Sequence, residues 1–133
     1  METAKIIHTM IRVLDPNRSI KFYADIFGFK ESHRLTFDDF TLIYLRNEES
    51  QYEIELTHNH GRTEPYTHGD GYGHYAFAAT DLVSMHSKIA ELGYAPTAIK
   101  EFRQNDELLA RFFFVADPDG YKIEVLERQG HYQ

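Results

Sequence analysis

A chain of 133 residues suits one compact domain or two small fused halves. Its 21 acidic and 14 basic side chains give a formal charge of −7, which argues against a general nucleic-acid or anionic-membrane partner and leaves small anions to local arginines or lysines. The absence of cysteine excludes disulfides, thiolate metal ligands and a cysteine nucleophile.

No stretch approaches the roughly 18 consecutive apolar residues of a membrane span. The opening "METAKIIHTMIRV" lacks a signal-peptide layout, because His8 and Arg12 interrupt its apolar run. A cytoplasmic protein is expected.

"AKIIHTMIRVLD" alternates as a strand, with Ile7, Thr9, Ile11 and Val13 on one side and His8, Met10 and Arg12 on the other. "DPNRSIKFYADIFG" follows as a helix. Asp15 is its N-cap, Pro16 fits its first turn, Gly28 closes it, and Ile20, Tyr23, Ile26 and Phe27 form its apolar stripe. "FKESHRLTFD", "FTLIYLRN" and "QYEIELTHN" read as three strands.

The same order returns in the second half. "GHYAFAAT" is a strand, and "TDLVSMHSKIAELG" a helix capped near Asp81 and stopped by Gly93. "AIKEF", "LLARFFFVAD" and "GYKIEVLE" are strands, with Asp117–Gly120 ("DPDG") as the turn before the last. His8 and His74, Asp15 and Asp81, Gly28 and Gly93, Tyr52 and Tyr121, and Glu55 and Glu124 recur at a nearly constant spacing. The expected fold class is therefore α+β, with two tandem βαβββ modules at about residues 5–60 and 72–128. Residues 57–72 are read as a connector rich in Gly and His.

Within "YEIEL" and "YKIEV", strand alternation sets Glu55 and Glu124 opposite the isoleucines that pack on the helices. His8 and His74 take the matching face of the first strand in each module. A single strand glutamate is usually just solvated, and a single strand histidine is usually structural. The repetition of both favours a ligand set instead. Two imidazoles and two carboxylates suit Ni²⁺, Co²⁺, Zn²⁺, Mn²⁺ or Fe²⁺ better than the oxygen-seeking Ca²⁺ and Mg²⁺.

"HTMIRVLDPNRSIKFYADIFGF", "IELTHN", "GYGHYAF" and "FFFVADPDGYKIEVLE" together resemble the glyoxalase I (lactoylglutathione lyase) family of the vicinal oxygen chelate superfamily, in its short bacterial form. The resemblance spans nearly the whole chain and implies that superfamily's fold of paired, curved mixed sheets. It implies four metal ligands, His8, Glu55, His74 and Glu124, with one divalent metal per site, Ni²⁺ or Co²⁺ favoured over Zn²⁺ or Mn²⁺. It implies a homodimer with each site at the interface and ligands drawn from both chains.

The implied reaction isomerises the hemithioacetal of methylglyoxal and glutathione to S-lactoylglutathione, by proton transfer through an enediolate held on the metal. Glu124 is the implied base, with Glu55 the second candidate. Arg12 and Asn59 match positions that hold the glutathione part. Arg12 lies four residues past His8, roughly 13 Å along a strand. As a surface arginine or a turn asparagine, each also has an ordinary explanation.

One departure stands out. Bacterial relatives carry a Lys-Gly pair where this chain reads "RQNDELLARFFF", with Asp106 and Glu107 near that place and Arg103 or Lys100 as nearby substitutes. His58, His60 and His68 are expected to be solvated connector residues. The alternatives are another metal-dependent enzyme of the superfamily (an epimerase, a dioxygenase or a thiol transferase) and a metal-free drug-binding protein. The intact quartet argues for an enzyme.

Overall fold

The first strand is shorter than its apolar alternation suggests. In the computed structural model, which describes residues 1–133, β1 covers only His8–Arg12. It starts where β4 (Glu53–Asn59) starts to pair with it: His8 stands opposite Glu53, and the Glu53 N–H donates to the Ile7 carbonyl. Ile7 lies before this pairing and stays 59% exposed, and Thr9 is exposed as well. Ile11 and Val13, flanked by β4, are buried.

α1 (Pro16–Phe27) forms as its end signals predict. The Asn17 and Arg18 N–H groups donate to the Asp15 carboxylate. This satisfies two of the donors that a helix N-terminus leaves unpaired. Gly28 ends the helix at φ 67°, a left-handed conformation that costs glycine little, and its N–H returns to the Ala24 carbonyl. The buried stripe is Ser19, Phe22, Tyr23, Ile26 and Phe27. Ile20 is only half-buried, so the apolar face is rotated towards Phe22 relative to the sequence reading.

β2 (Lys30–Thr36) and β3 (Phe40–Arg46) complete a mixed sheet in the order β1-β4-β3-β2, with β1 and β4 parallel and the other pairs antiparallel. Its core is built from Ile11, Val13, Ile43, Leu45, Ile54 and Leu56 with the aromatic side chains of α1 and Phe29. Burial of each such side chain contributes about 1.5–3 kcal/mol. These elements belong to one packing unit, Met1–Thr67.

The second unit, His68–Gln133, repeats the plan. β5 (Tyr75–Ala79), α2 (Leu82–Glu91), β6 (Lys100–Gln104), β7 (Glu107–Ala116) and β8 (Lys122–Glu127) give the order β5-β8-β7-β6, again with one parallel pair, β5 and β8. Asp81 caps α2 by accepting from the Ser84 N–H. Leu82, Ile89, Phe113, Val115, Ile123 and Val125 are buried in this unit. The α+β class and the repeated βαβββ order thus match the sequence reading.

Some boundaries differ. β4 ends at Asn59, where the strand read from "QYEIELTHN" also ends, so the irregular stretch begins at residue 60 and not at 57. His74 lies just before β5 instead of within it. No helix is long and apolar enough to cross a membrane.

Candidate metal centre

Strand register brings one histidine and one glutamate together in each unit. In the first, His8 opens β1 and Glu55 sits mid-β4, one side-chain repeat beyond His8's partner Glu53. Period-two alternation puts both on the same face. His8 Nε2 lies 3.7 Å from Glu55 Oε1. In the second, His74 precedes β5 and Glu124 lies opposite Ala76, with His74 Nε2 3.3 Å from Glu124 Oε1.

Donors bound to one ion at about 2.1 Å and at right to tetrahedral angles lie roughly 3.0–3.4 Å apart. Both pairs are close to that separation, and their imidazole and carboxylate chemistry suits a borderline divalent metal. Within neither unit do three or more His, Asp or Glu side chains converge.

The carboxylates differ in how they are held. Glu55 is 9% exposed, and its Oε2 accepts a hydrogen bond from the Tyr44 hydroxyl, directly across the strand pair on β3. That bond, then burial, pushes the Tyr44 phenol up to about 12, so the phenol keeps its proton and donates. The Tyr44 ring also meets His8 edge-on, at a centroid distance of 5.7 Å. In the second unit the residue across from Glu124 is Phe114, which meets His74 edge-on at 5.2 Å. The aromatic packing is repeated but the hydroxyl is not.

Arg12 and Asn59 end β1 and β4. Arg12 stands opposite Thr57, and Asn59 lies one side-chain repeat beyond it, so both share the sheet face of His8 and Glu55. Asn59 Oδ1 accepts from the Tyr66 hydroxyl at 2.9 Å, and Tyr66 lies under the Arg62 guanidinium at 4.3 Å. Sequence reasoning missed Tyr66, since nothing in its loop context signals that it folds back on the strand end.

The connector histidines are not simply solvated. His60 is exposed overall, but both ring nitrogens are engaged, Nε2 with the Thr41 hydroxyl at 2.8 Å and Nδ1 with the Asp38 carbonyl at 2.9 Å. His58 and His68 are half-buried. His68 stacks on Tyr121 at 4.1 Å with ring planes 9° apart, and its Cε1 lies 3.6 Å from where a Cβ on Gly120 would project. It therefore covers the Asp117–Gly120 turn. That turn is closed by the Asp117 carboxylate, which accepts from the Asp119 and Tyr121 N–H groups at 2.9 and 3.0 Å.

Where the resemblance implies a Lys-Gly pair, β6 and β7 meet in a tight hairpin. Asn105 and Asp106 both have positive φ, 51° and 63°, as a two-residue hairpin turn demands. Arg103 is tied to the Glu101 carboxylate at 2.6 Å and to the Asp106 carbonyl at 3.3 Å. Lys100 is exposed opposite Phe112.

Comparison with known proteins bears on this geometry. The family model described as Glyoxalase/Bleomycin resistance protein/Dioxygenase superfamily matches residues 5–125. A probable lactoylglutathione lyase of Synechocystis is 37% identical, over 92% of this chain and 94% of its own length. The lactoylglutathione lyase of Haemophilus influenzae is 38% identical, over 94% and 93%. The trypanothione-dependent glyoxalase I of Leishmania major is similar in structure, with a TM-score of 0.75 and 35% identity over 94% of this chain and 87% of its own.

Proposed function

The chain belongs to the Glyoxalase/Bleomycin resistance protein/Dioxygenase superfamily, and from that premise we propose that it is a lactoylglutathione lyase, a cytoplasmic glyoxalase I. It isomerises the hemithioacetal of methylglyoxal and glutathione to S-lactoylglutathione. The observation that carries the reading is the repeated His–Glu pair, His8 with Glu55 and His74 with Glu124, in a chain whose relatives at 37% and 38% identity bear the lactoylglutathione lyase name.

One pair from each unit supplies the ligand set, in a homodimer whose sites draw on both chains. When bound, a divalent metal, Ni²⁺ or Co²⁺ by preference, supplies positive charge that stabilises the oxyanions developing as the substrate C–H is deprotonated. Glu124 takes the proton from one carbon and returns it to the neighbouring one, so the reaction is a balanced isomerisation. Its carboxylate is part-exposed beside His74, and its cross-strand partner is Phe114, which has no hydroxyl to hold it. Glu55, held by Tyr44, stays in place as a ligand.

Arg12 provides a charged anchor for a carboxylate of the thiol, on the face and along the strand direction of the His8–Glu55 pair. Asn59, steadied by Tyr66, offers its amide to the same part of the substrate.

The test supplies the metal-free protein with Ni²⁺, Co²⁺, Zn²⁺ or Mn²⁺ and then with methylglyoxal and a thiol. Thioester formation with glutathione is expected. Running trypanothione beside it distinguishes the thiols, because the Leishmania major relative is trypanothione-dependent and this chain carries Asp106 and Glu107 where the resemblance implies a Lys-Gly pair. Silence with all four metals and both thiols contradicts the proposal.

A further inference from the structure

The two halves repeat the His–Glu pair and the aromatic ring that packs on each histidine, but only one ring carries a hydroxyl. We propose that Tyr44 is a positioning residue that pins Glu55 as a fixed ligand, and that Phe114 at the matching position leaves Glu124 without a hydroxyl tether, so that its carboxylate can turn about its contact with His74. The assignment deepens the proposed function and rests on it.

Strand register separates the two carboxylates. Tyr44 is the direct cross-strand partner of Glu55, and Phe114 that of Glu124. Side chains so placed meet on one face. Each ring lies edge-on to its own histidine, at 5.7 and 5.2 Å, so the packing demand is met equally by tyrosine and phenylalanine. The hydroxyl is thus not needed for packing. What it adds is a charge-assisted hydrogen bond to one carboxylate oxygen, which leaves the other, Oε1, turned to His8. Such outer hydrogen bonds orient ligands and tune metal affinity.

A base that collects a proton at one carbon and delivers it to the next must swing between them. A carboxylate held through both oxygens, as Glu55 is by Tyr44 and His8, is poorly suited to that, and one that meets only a histidine, as Glu124 does, keeps a second oxygen for it. Two glutamates that are nearly alike in sequence context are thereby given different tasks.

The experiment uses four variants of the full chain: Tyr44→Phe, Phe114→Tyr, Glu124→Gln and the double variant Glu124→Gln with Tyr44→Phe. The first readout needs no turnover. In metal-free protein, carbon-13 NMR of the glutamate carboxyl carbons should show the Glu55 signal move in Tyr44→Phe while the Glu124 signal stays. Competition with a chromophoric chelator should show Ni²⁺ bound about 10–100-fold more weakly in Tyr44→Phe.

In the loaded enzyme, Phe114→Tyr should lower kcat at least about tenfold with little change in KM, because the new hydroxyl tethers the base. Tyr44→Phe should restore part of the turnover lost in Glu124→Gln, because it frees the second carboxylate. An unmoved Glu55 signal, or a double variant no more active than Glu124→Gln, overturns the proposal. If Phe114→Tyr does not fold, the Tyr44→Phe measurements still decide. If the wild-type chain shows no lyase activity, the function reading falls, while the carbon-13 and Ni²⁺ measurements still report whether Tyr44 pins Glu55.

Discussion

His74 Nε2 and Glu124 Oε1 face each other at 3.3 Å, although one residue precedes β5 and the other lies within β8. The first unit repeats the relationship between His8 and Glu55 at 3.7 Å. Parallel pairing of the first and last strand of each βαβββ unit is what brings them together. Residues far apart in sequence thus become side-chain neighbours on one sheet face.

If Glu124 moves the proton, Glu124→Gln should lower kcat about 10²–10⁴-fold, the range expected for loss of a general base. Steady-state kinetics of the metal-loaded variant checks this. Full kcat in Glu124→Gln would show that the role is wrongly assigned.

If each site draws its ligands from two chains, two inactive variants should complement each other. One carries Glu55→Ala in the first unit and the other Glu124→Ala in the second. Mixed and allowed to exchange subunits, they should form a mixed dimer with one intact site and recover measurable activity. Sites made within one chain predict no recovery.

Arg12→Ala should raise KM about 10–100-fold, in line with about 1.5–3 kcal/mol for a hydrogen bond to a charged group. Its kcat should change much less, since Arg12 is placed on the thiol part and away from the reacting carbons. A fall in kcat with unchanged KM would contradict that placement.

Turn geometry makes a stability prediction independent of activity. Gly120 has φ 86°, a conformation that costs other residues about 1–2 kcal/mol, and His68 lies over it. Gly120→Ala should therefore lower the free energy of unfolding by that amount in a denaturant titration. Asp117→Ala should cost about 1–3 kcal/mol, because Asp117 is buried and two N–H groups lose their acceptor. Wild-type midpoints for both variants would contradict the account of this turn.

Local signals were the most legible part of the fold. Asp15, Gly28 and Asp81 mark helix ends through their own chemistry, and the observed caps follow them. The repeat was legible because side-chain alternation sets Glu55 and Glu124 against the isoleucines beside them, whatever the neighbouring strand does.

What depends on a neighbour was hidden. Ile7 stays exposed because β4 begins to pair only at His8, a length that alternation within β1 cannot reveal. Tyr44 is not legible in the sequence because its task is set by cross-strand register, and a one-residue slip would send its hydroxyl to the other face. The contacts of His60, His68 and Tyr66 are hidden in the sequence because their partners Thr41, Tyr121 and Asn59 are fixed only when the connector folds back.

The central claim is metal-dependent isomerisation by the two His–Glu pairs. Its most direct test strips the protein with a chelator, titrates Ni²⁺ back, and follows S-lactoylglutathione formation from methylglyoxal and glutathione. The account predicts no turnover in the stripped protein and a rise that saturates at one ion per site, with the plateau lost in His74→Ala. Full activity in the stripped protein, or a plateau unchanged by His74→Ala, would contradict it.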